Sequence, residues 1–445
     1  MYIKSITLKN FRLYEEIKIN FNEKLSVIVG GNGAGKTTVM EGIAIALSTL
    51  FIKMDGLSSK NIDKSQVRLK SFSVGSTTDM QAQYPVVISA EAAVYRNNKY
   101  QLQNSCHIIE WTRSLNSSTG QTAFKNAQSA TKLGMDYQQY VRNGDDEFIL
   151  PIFGYYGTGR LWDYHREKKY DVFKANNRLN GYIDCMDGTA NIKLMMNWFS
   201  KMTVEKYQRQ ELGLSDIPEL EAVFNAMEIC YKRITGFNNV KIQYNMGSNE
   251  LEVVYKDESG DLVRIPINLL SDGYKSTISL IADIAYRMAV LNPQLLGDVC
   301  KRTNGIIMID EIDLHLHPIW QQRIIGDLQY IFPNVQFIVS THAPSVISTV
   351  KSENIIMLEN GDAFTPAGEV HGRDANTIVS SLMNASERPK ELKCKFESFY
   401  SFVNKKDFDE AEKKLNEIKS IIGEDDPEIS TCNIKLALLN ARRGK

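Results

Sequence analysis

The stretch from residue 25 to residue 50, LSVIVGGNGAGKTTVMEGIAIALSTL, constrains the fold more than any other part of the chain. An apolar, β-branched run is followed by a glycine cluster and then by helical periodicity from Thr37 onward, which predicts a strand, a loop and a helix. The spacing G-x-x-x-x-G-K-[ST] of a phosphate-binding loop is matched by Gly30, Gly35, Lys36 and Thr37. A glycine-rich turn that merely joins a strand to a helix is the alternative interpretation.

The residue types in this loop suit the binding of a nucleotide. Glycines let backbone N–H groups converge on phosphate oxygens, and the N-terminus of the following helix adds partial positive charge. Lys36 is predicted to reach the β- and γ-phosphates, and the Thr37 hydroxyl to ligate Mg²⁺. The sequence therefore predicts ATP and Mg²⁺ as cofactors. The loop residues expected to bind the nucleotide are Gly30, Asn32, Gly33, Ala34, Gly35, Lys36, Thr37 and Thr38.

Two acidic residues end a second apolar run. Residues 305–318 read GIIMIDEIDLHLHP, so a buried parallel strand delivers Asp310 and Glu311 to the carboxyl edge of a sheet, where ligands bind in open α/β sheets. Asp310 is predicted to hold Mg²⁺ through water, and Glu311 to orient or deprotonate the attacking water. A strand that happens to end in acids is the alternative.

A histidine follows the next apolar run. The stretch VQFIVSTHAPSVI predicts a buried strand over 335–339 that leads into Ser-Thr-His. At the tip of that strand, His342 can report the γ-phosphate by a hydrogen bond, although a histidine in this position can also be purely structural. The residues predicted to be catalytic are Glu311, His342 and Lys36.

Two further histidines raise the question of a metal site. His315 and His317 are spaced i, i+2 beside acidic residues, which in a strand places both on one face. Nevertheless, no third ligand at suitable spacing lies near them. We therefore expect them to shape the loop before Pro318, a residue that suits the first turn of a helix.

The stretch LLSDGYKS at 269–276 precedes an apolar helix predicted over 274–290. The order phosphate loop, LLSDGYKS, IIMIDE, DLHLHP and STHAP resembles the ABC-type ATPase heads of the RecF, SMC and Rad50 group, with ATPase domains of the AAA_15 and AAA_21 type. The resemblance implies that Ser271 and Gly273 belong to a signature motif that meets the γ-phosphate held by a second copy, in a head-to-tail dimer. The alternative is that Ser271 or Asp272 only caps the helix.

Other stretches narrow the resemblance. ILPIFGYYGTGRLW, RLNGYIDCMDG and HGRDANTIV are similar to a branch of stand-alone bacterial ATPases that includes the ATPase subunit of the Septu anti-phage defence system. This likeness implies a separate effector, a small HNH nuclease, with DNA contact through the complex. It also implies self-association as a head-to-tail dimer or as a higher oligomer such as a trimer of dimers. A DNA-repair clamp of the RecF type and a transporter subunit are the rival functions.

Four side chains are further candidates to approach the nucleotide. Tyr155, Tyr156 and Arg160 could contact the nucleotide or the dimer partner, and a buried turn explains the two aromatic residues about as well. Arg12, in the stretch NFR, resembles an N-terminal arginine that approaches the nucleotide in related heads. A plain surface arginine is the alternative for that position.

Composition limits the class of protein. The 445 residues, 43% hydrophobic and 24% charged, are enough for more than one domain. The 52 basic and 53 acidic residues nearly cancel, so no global field argues for nucleic acid. Six scattered cysteines, no signal peptide and no run of about 18 apolar residues predict a cytoplasmic chain without membrane contact.

The predicted fold class is α/β: an ABC-type ATPase head with a P-loop sheet, an inserted α/β lobe and a C-terminal helical module. We expect an N-terminal ATPase lobe at 1–115, a mainly helical insertion at 116–250, a C-terminal ATPase lobe at 251–385 and a helical tail at 386–445. The alternating residues 84–115 predict antiparallel strands that extend the ATPase sheet.

The tail reads as two or three amphipathic helices with a break at 423–427. It resembles a single tetratricopeptide-like unit, and one such unit cannot bury its own apolar face. The residues of that face are Phe408, Ala411, Leu415 and Ile418. We therefore expect the face to dock on its own head, on a second copy or on a partner.

Overall fold

The computed structural model describes residues 1–75, 77–95, 106–159, 177–188, 191–257, 259–383, 386 and 388–443. Its contacts divide the chain into two units, Met1–Gly372 and Arg373–Lys445. The division into four parts at 115, 250 and 385 stays a prediction. Within the described ranges, no helix is both long and apolar enough to cross a membrane.

Strands and helices of both units follow in chain order. The strands are β1 (Tyr2–Phe11), β2 (Tyr14–Asn20), β3 (Leu25–Gly30), β4 (Leu69–Val74), β5 (Thr77–Ala82), β6 (Val86–Tyr95), β7 (Cys106–Leu115), β8 (Ile152–Tyr156), β9 (Val240–Asn245), β10 (Glu250–Lys256), β11 (Leu262–Pro266), β12 (Gly305–Ile309), β13 (Val335–Thr341), β14 (Ile355–Glu359) and β15 (Asp362–Phe364). The helices are α1 (Lys36–Leu47), α2 (Gln128–Arg142), α3 (Ile192–Glu211), α4 (Pro218–Thr235), α5 (Asp272–Leu291), α6 (Val299–Arg302), α7 (Pro318–Gln321), α8 (Ile324–Ile331), α9 (Pro344–Ile347), α10 (Ala375–Ser381), α11 (Lys390–Asn404), α12 (Phe408–Ile422) and α13 (Pro427–Arg443).

The central sheet of the first unit has the strand order β15-β14-β3-β13-β12-β8 among the described residues. All neighbours are parallel except β15, which runs antiparallel to β14. Strands β3, β8, β12 and β13 are buried along their whole length, as apolar strands covered on both faces must be. The predicted α/β head with its phosphate loop between β3 and α1 is confirmed.

A second sheet contains the antiparallel strands. Its order in the described part of the chain is β2-β1-β6-β7. The predicted antiparallel pair at 84–115 is therefore confirmed as β6 and β7, but its predicted place in the ATPase sheet is wrong. Strand β6 pairs instead along β1, from Tyr2 opposite Ala93 to Lys9 opposite Val87. Strand β6 forms its hydrogen bonds with β1 on one side and with β7 on the other, and both pairs are antiparallel. The pair β6–β7 therefore extends the sheet that contains β1.

Helices α3 and α4 confirm the two amphipathic helices predicted in the insertion. Helix α4 begins with Pro218 in its first turn and ends at Thr235, and the φ of 78° at the following Gly236 is the left-handed conformation that glycine adopts at helix ends. Together with the sheet β11-β10-β9 these helices form a compact layer. Strand β11 then leads through a 3-10 turn, Ile267–Leu269, into α5.

The second unit has an apolar core of its own, built by α11, α12 and α13. The predicted break is confirmed, because α12 ends at Ile422 and α13 begins at Pro427. The prediction that the face of α12 cannot be buried within the unit is wrong. Ala411, Leu415 and Ile418 are buried in a cluster with residues of the two flanking helices, and Phe408 packs at its border. The third helix supplies the cover that a two-helix unit lacks.

This core predicts a local loss of stability when Leu415 is shortened. We expect Leu415→Ala to cost about 2–5 kcal/mol because the cavity left in the cluster cannot collapse fully. The control is Ile421→Ala on the same helix, where the side chain is 55% exposed and the expected change is within about 0.5 kcal/mol. Amide hydrogen exchange across α11–α13 measures both. Equal protection in the two variants would contradict the assigned core.

Candidate functional site

The phosphate loop joins β3 to α1 at the carboxyl edge of the central sheet. Gly33 and Gly35 have positive φ values of 79° and 98°, which a residue with a side chain rarely adopts. A Cβ at Gly35 would lie 2.3 Å from the Tyr14 hydroxyl oxygen. That hydroxyl donates a hydrogen bond of 2.8 Å to the Ala34 carbonyl, so the first residue of β2 supports the loop. Asn32 is exposed at the tip of the loop, and Thr38 is buried in the first turn of α1.

The Lys36 side chain lies inside the loop and is only 6% exposed. Its Nζ donates to the carbonyls of Gly30 and Gly31 at 3.0 and 3.2 Å, and it lies 2.5 Å from His342 Nε2. Burial, followed by the nearby Lys36 charge, lowers the pKa of His342. Because the Lys36 ammonium group has only N–H donors, His342 Nε2 is the acceptor in this contact. Burial also lowers the pKa of Lys36, with Asp310 the largest opposing influence.

Asp310 is the centre of a second set of contacts. The Thr37 hydroxyl donates to Asp310 Oδ2 at 2.7 Å, and the Ser340 hydroxyl donates to Oδ1. The backbone N–H of Asp310 donates to the Tyr156 carbonyl at 2.8 Å. A threonine hydroxyl beside a carboxylate supplies the oxygen ligands that Mg²⁺ prefers, so these residues fit the predicted metal.

Glu311 follows in an unusual backbone conformation. Its φ of 48° lies in the left-handed region, which costs a residue with a long side chain about 1–3 kcal/mol and is commonest at functional sites. The Glu311 N–H donates to Ser340 Oγ at 2.8 Å, so one hydroxyl binds both acidic residues. Beside it, the Thr341 hydroxyl donates to Asp313 at 2.5 Å. Sequence reasoning assigned no role to Ser340 and Thr341, although their place at the end of a buried strand was a signal.

Ser271 and Gly273 lie at the start of α5. Ser271 is the N-cap residue, yet its side chain makes no capping hydrogen bond and is exposed. Gly273 packs so closely that a Cβ there would lie 2.7 Å from the His315 carbonyl, and the Tyr274 ring stands 4.4 Å from that of Trp320. In the described residues, no hydrogen bond joins Ser271 or Gly273 to the phosphate loop of the same chain.

Both candidate histidines before Pro318 have structural contacts. The His317 ring accepts a hydrogen bond from Ile319 N–H at 3.4 Å and caps α7. His315 has a positive φ of 64° in the turn. Over the described ranges, no group of three or more histidine, cysteine or acidic residues is arranged to hold a metal ion. These contacts support the interpretation that the two residues shape the loop.

Among the described residues, Arg12 contacts helix α1 and Tyr155 lies beside Lys60. Arg12 forms an ion pair of 2.6 Å with Glu41 on α1, and its side chain remains 37% exposed. Tyr155 is buried, and Lys60 Nζ stands 5.5 Å from the centre of its ring. The third candidate at this place in the sequence, Arg160, lies outside the described residues.

Tyr156 belongs to a buried polar network that reaches α5. Its hydroxyl donates to Asp283 Oδ2 at 2.7 Å, and Arg287 Nε donates to the same oxygen at 2.7 Å. Arg287 also donates to the carbonyls of Gly181 and Ile183 at 3.0 and 2.8 Å. Asp283 and Arg287 are almost fully buried, so the pair needs these partners. The buried alternative fits Tyr156, and sequence reasoning missed Asp283 and Arg287.

Comparisons with known proteins agree with this geometry. The model of an AAA domain (AAA_23) matches residues 5–235, more than half of the chain, and that of an AAA ATPase domain (AAA_15) matches residues 160–347. The chain belongs to the AAA domain family.

Individual relatives extend over most of this AAA-family chain. The Retron Ec83 probable ATPase of Escherichia coli is 26% identical over 457 residues, which is 88% of this chain and 78% of that protein. The Septu protein PtuA of Bacillus thuringiensis is 25% identical over 373 residues, with 82% and 78% covered. Among solved structures, an SMC head bound to the C-winged helix domain of ScpA aligns with 83% of this chain and 99% of that chain at 14% identity, with a TM-score of 0.45.

The contact between Lys36 and His342 predicts a change in titration. In a Lys36→Met variant we expect the pKa of His342 to rise, because the charge 2.5 Å away is removed, while burial continues to lower it. NMR titration of the His342 ring measures the shift, with a His342→Gln sample to assign its signal. Lys53→Met, at an exposed lysine, is the control. The same His342 pKa in both lysine variants would contradict the contact.

Proposed function

We propose that this AAA-family chain binds ATP with Mg²⁺ and hydrolyses it between two copies, and that ATP-dependent pairing regulates a separate effector in bacterial defence against phage. One observation carries the catalytic part. Lys36, Thr37, Asp310 and His342 come from three separate parts of the chain and meet at one edge of the central sheet.

Each of these residues has a chemical role in ATP hydrolysis. Lys36 holds the β- and γ-phosphates, which compete with the loop carbonyls for its three N–H donors. Thr37 and Asp310 hold Mg²⁺, which when bound neutralises charge on the phosphate oxygens. Glu311 orients the attacking water and accepts its proton as the water oxygen bonds to the γ-phosphorus, the bond from that phosphorus to the β–γ bridging oxygen breaks and ADP leaves. Once Lys36 has turned to the phosphates, His342 in its Nε2–H tautomer donates a hydrogen bond to the γ-phosphate.

The proposed partner for hydrolysis is a second copy of the chain. Ser271 presents an exposed hydroxyl that does not cap its own helix, and the N-terminus of α5 adds partial positive charge. A γ-phosphate held by the other copy suits this site. We propose a head-to-tail dimer, which can assemble further into a higher oligomer such as a trimer of dimers.

The proposed effector is a small HNH nuclease in the cytoplasm that contacts DNA within the complex. The likeness to a Septu protein and to a retron ATPase along more than four-fifths of the chain supports a defence role over that of a RecF-like repair clamp. Co-purification with the product of an adjacent gene, assayed for DNA cleavage with and without ATP, tests this part. Absence of any such partner would favour the clamp.

Variants of Lys36 and Glu311 test the catalytic assignment. We expect Lys36→Ala to weaken ATP binding by about 10- to 100-fold because charge-assisted hydrogen bonds to phosphate are lost. Glu311→Gln should retain ATP binding and lose about 10²–10⁴-fold in turnover, since an amide cannot accept the proton. Calorimetry and steady-state phosphate release measure the two effects. Normal turnover in Glu311→Gln would place the base elsewhere.

Mixed dimers test whether the signature acts on the other copy. We expect Ser271→Arg to abolish hydrolysis by blocking closure, while each chain still binds ATP. When this variant is mixed with Lys36→Ala under subunit exchange, mixed dimers form. One of their two ATP sites carries both defects and the other carries neither, so part of the hydrolysis should return. Ser259→Arg, at an exposed serine in the turn before β11, is the control. Persistent inactivity of the mixture would argue against a shared site.

A further inference from the structure

A second pocket lies away from the phosphate loop, between α3, α4 and the sheet β11-β10-β9. Its volume is about 390 Å³, within the range of about 300–1,000 Å³ that is usual for small-molecule sites. The residues of its lining that bear on a ligand are Thr203, Lys206, Tyr207, Phe224, Tyr244 and Arg264. The ATP site proposed above uses none of them.

The floor of this pocket is aromatic. Phe199, which is fully buried, stacks on Phe224 with ring centres 5.4 Å apart and on Tyr244 at 6.4 Å. Tyr207, one side of the wall, is 55% exposed. Rigid rings in the floor and an accessible ring in the wall suit a flat aromatic ligand, because stacking gains energy on any such face.

Positive charge borders the aromatic floor. Arg264 is exposed, and within the described residues it forms no ion pair. Lys206 is tied to Glu221 at 2.5 Å, so its charge is partly balanced. No acidic side chain is among the described residues that line the pocket. An arginine without a carboxylate partner suits a phosphate, which accepts two parallel hydrogen bonds from its guanidinium group.

A buried hydroxyl of the lining also lacks a partner. Thr203 is only 6% exposed, and its Oγ1 makes no hydrogen bond to any described residue. A buried hydroxyl without a hydrogen bond is costly and rare in folded proteins. Rotation about χ1 exchanges the hydroxyl and methyl groups of threonine, so a polar ligand in the pocket can supply the missing bond.

We propose that this pocket binds a nucleoside phosphate, with the base against Tyr207, Phe224 and Tyr244 and the phosphate on Arg264. The nucleotide can come from free solution or from one unit of a single strand, because both present the same base and phosphate. Strand β11, which carries Arg264, continues through the turn Ile267–Leu269 into Ser271. The pocket is therefore directly connected along the chain to the proposed signature.

Binding is measured on the full chain carrying Lys36→Ala, which removes the main cation of the phosphate loop. The probes for calorimetry are AMP, GMP, CMP and UMP for a free nucleotide and an eight-residue oligothymidine for a strand. Arg264→Glu, Arg264→Gln and Tyr207→Ala alter the pocket at exposed side chains. Arg373→Glu makes the same charge change at an exposed arginine that does not line the pocket.

We expect at least one probe to bind saturably, and Arg264→Glu to weaken it by about tenfold or more through the lost charge-assisted hydrogen bonds. Tyr207→Ala should also weaken it, and Arg373→Glu should not. Binding of monophosphates identifies a free nucleotide, whereas binding of the oligonucleotide alone identifies a strand. No binding by any probe, or binding that all three pocket variants leave unchanged, overturns the proposal. The outcome does not depend on ATP hydrolysis, because the pocket variants are compared in one Lys36→Ala background.

Discussion

The parallel register of the central sheet determines where the phosphate loop, Asp310 and His342 lie relative to one another. Ile309 is opposite both Val339 and Tyr156, and Thr341 is opposite Val29. Four strands therefore end at the same edge, and the residue that follows each strand points into one region of space. A shift of one residue would turn each strand over and move its side chains to the other face. The strands are packed on both faces, so side chains exchanged between the faces would no longer fit their neighbours.

Asp310 shows how this edge is stabilised. It is 1% exposed, and a carboxylate without partners in that position would cost several kcal/mol. Thr37 and Ser340 supply its hydrogen bonds, while its backbone is held by Tyr156, whose side chain is bound to Asp283 of α5. One acidic residue is thus connected to the phosphate loop, to the next strand and to the helix that begins at the proposed signature.

The sequence predicted the parts of the site that are encoded in contiguous residues. The phosphate loop with Lys36 and the acidic end of β12 follow from local spacing, and the structure places them together. The supports from Tyr14 and Asp283 could not be predicted, because each acts on a residue far away in the chain. The same limit explains two errors. Alternation shows that β6 is a strand but not which sheet it joins, and amphipathicity shows that a face of α12 is buried but not that α11 and α13 bury it.

The contact between Lys36 and His342 connects phosphate binding to the end of β13. Lys36 Nζ is satisfied by two loop carbonyls and by His342 Nε2. A phosphate that attracts Lys36 competes for the same donors, and any donor withdrawn from His342 leaves its ring nitrogen to bind another group. The Thr341 hydroxyl accepts a hydrogen bond of 3.0 Å from the Ala343 N–H and donates to Asp313, so the residues on both sides of His342 are tied to the turn after Glu311. The His315 carbonyl in that turn packs closely against Gly273 of the same chain, at the start of α5. Lys36 in the phosphate loop and the start of α5, which carries the proposed signature, are therefore joined within one chain by a series of short contacts.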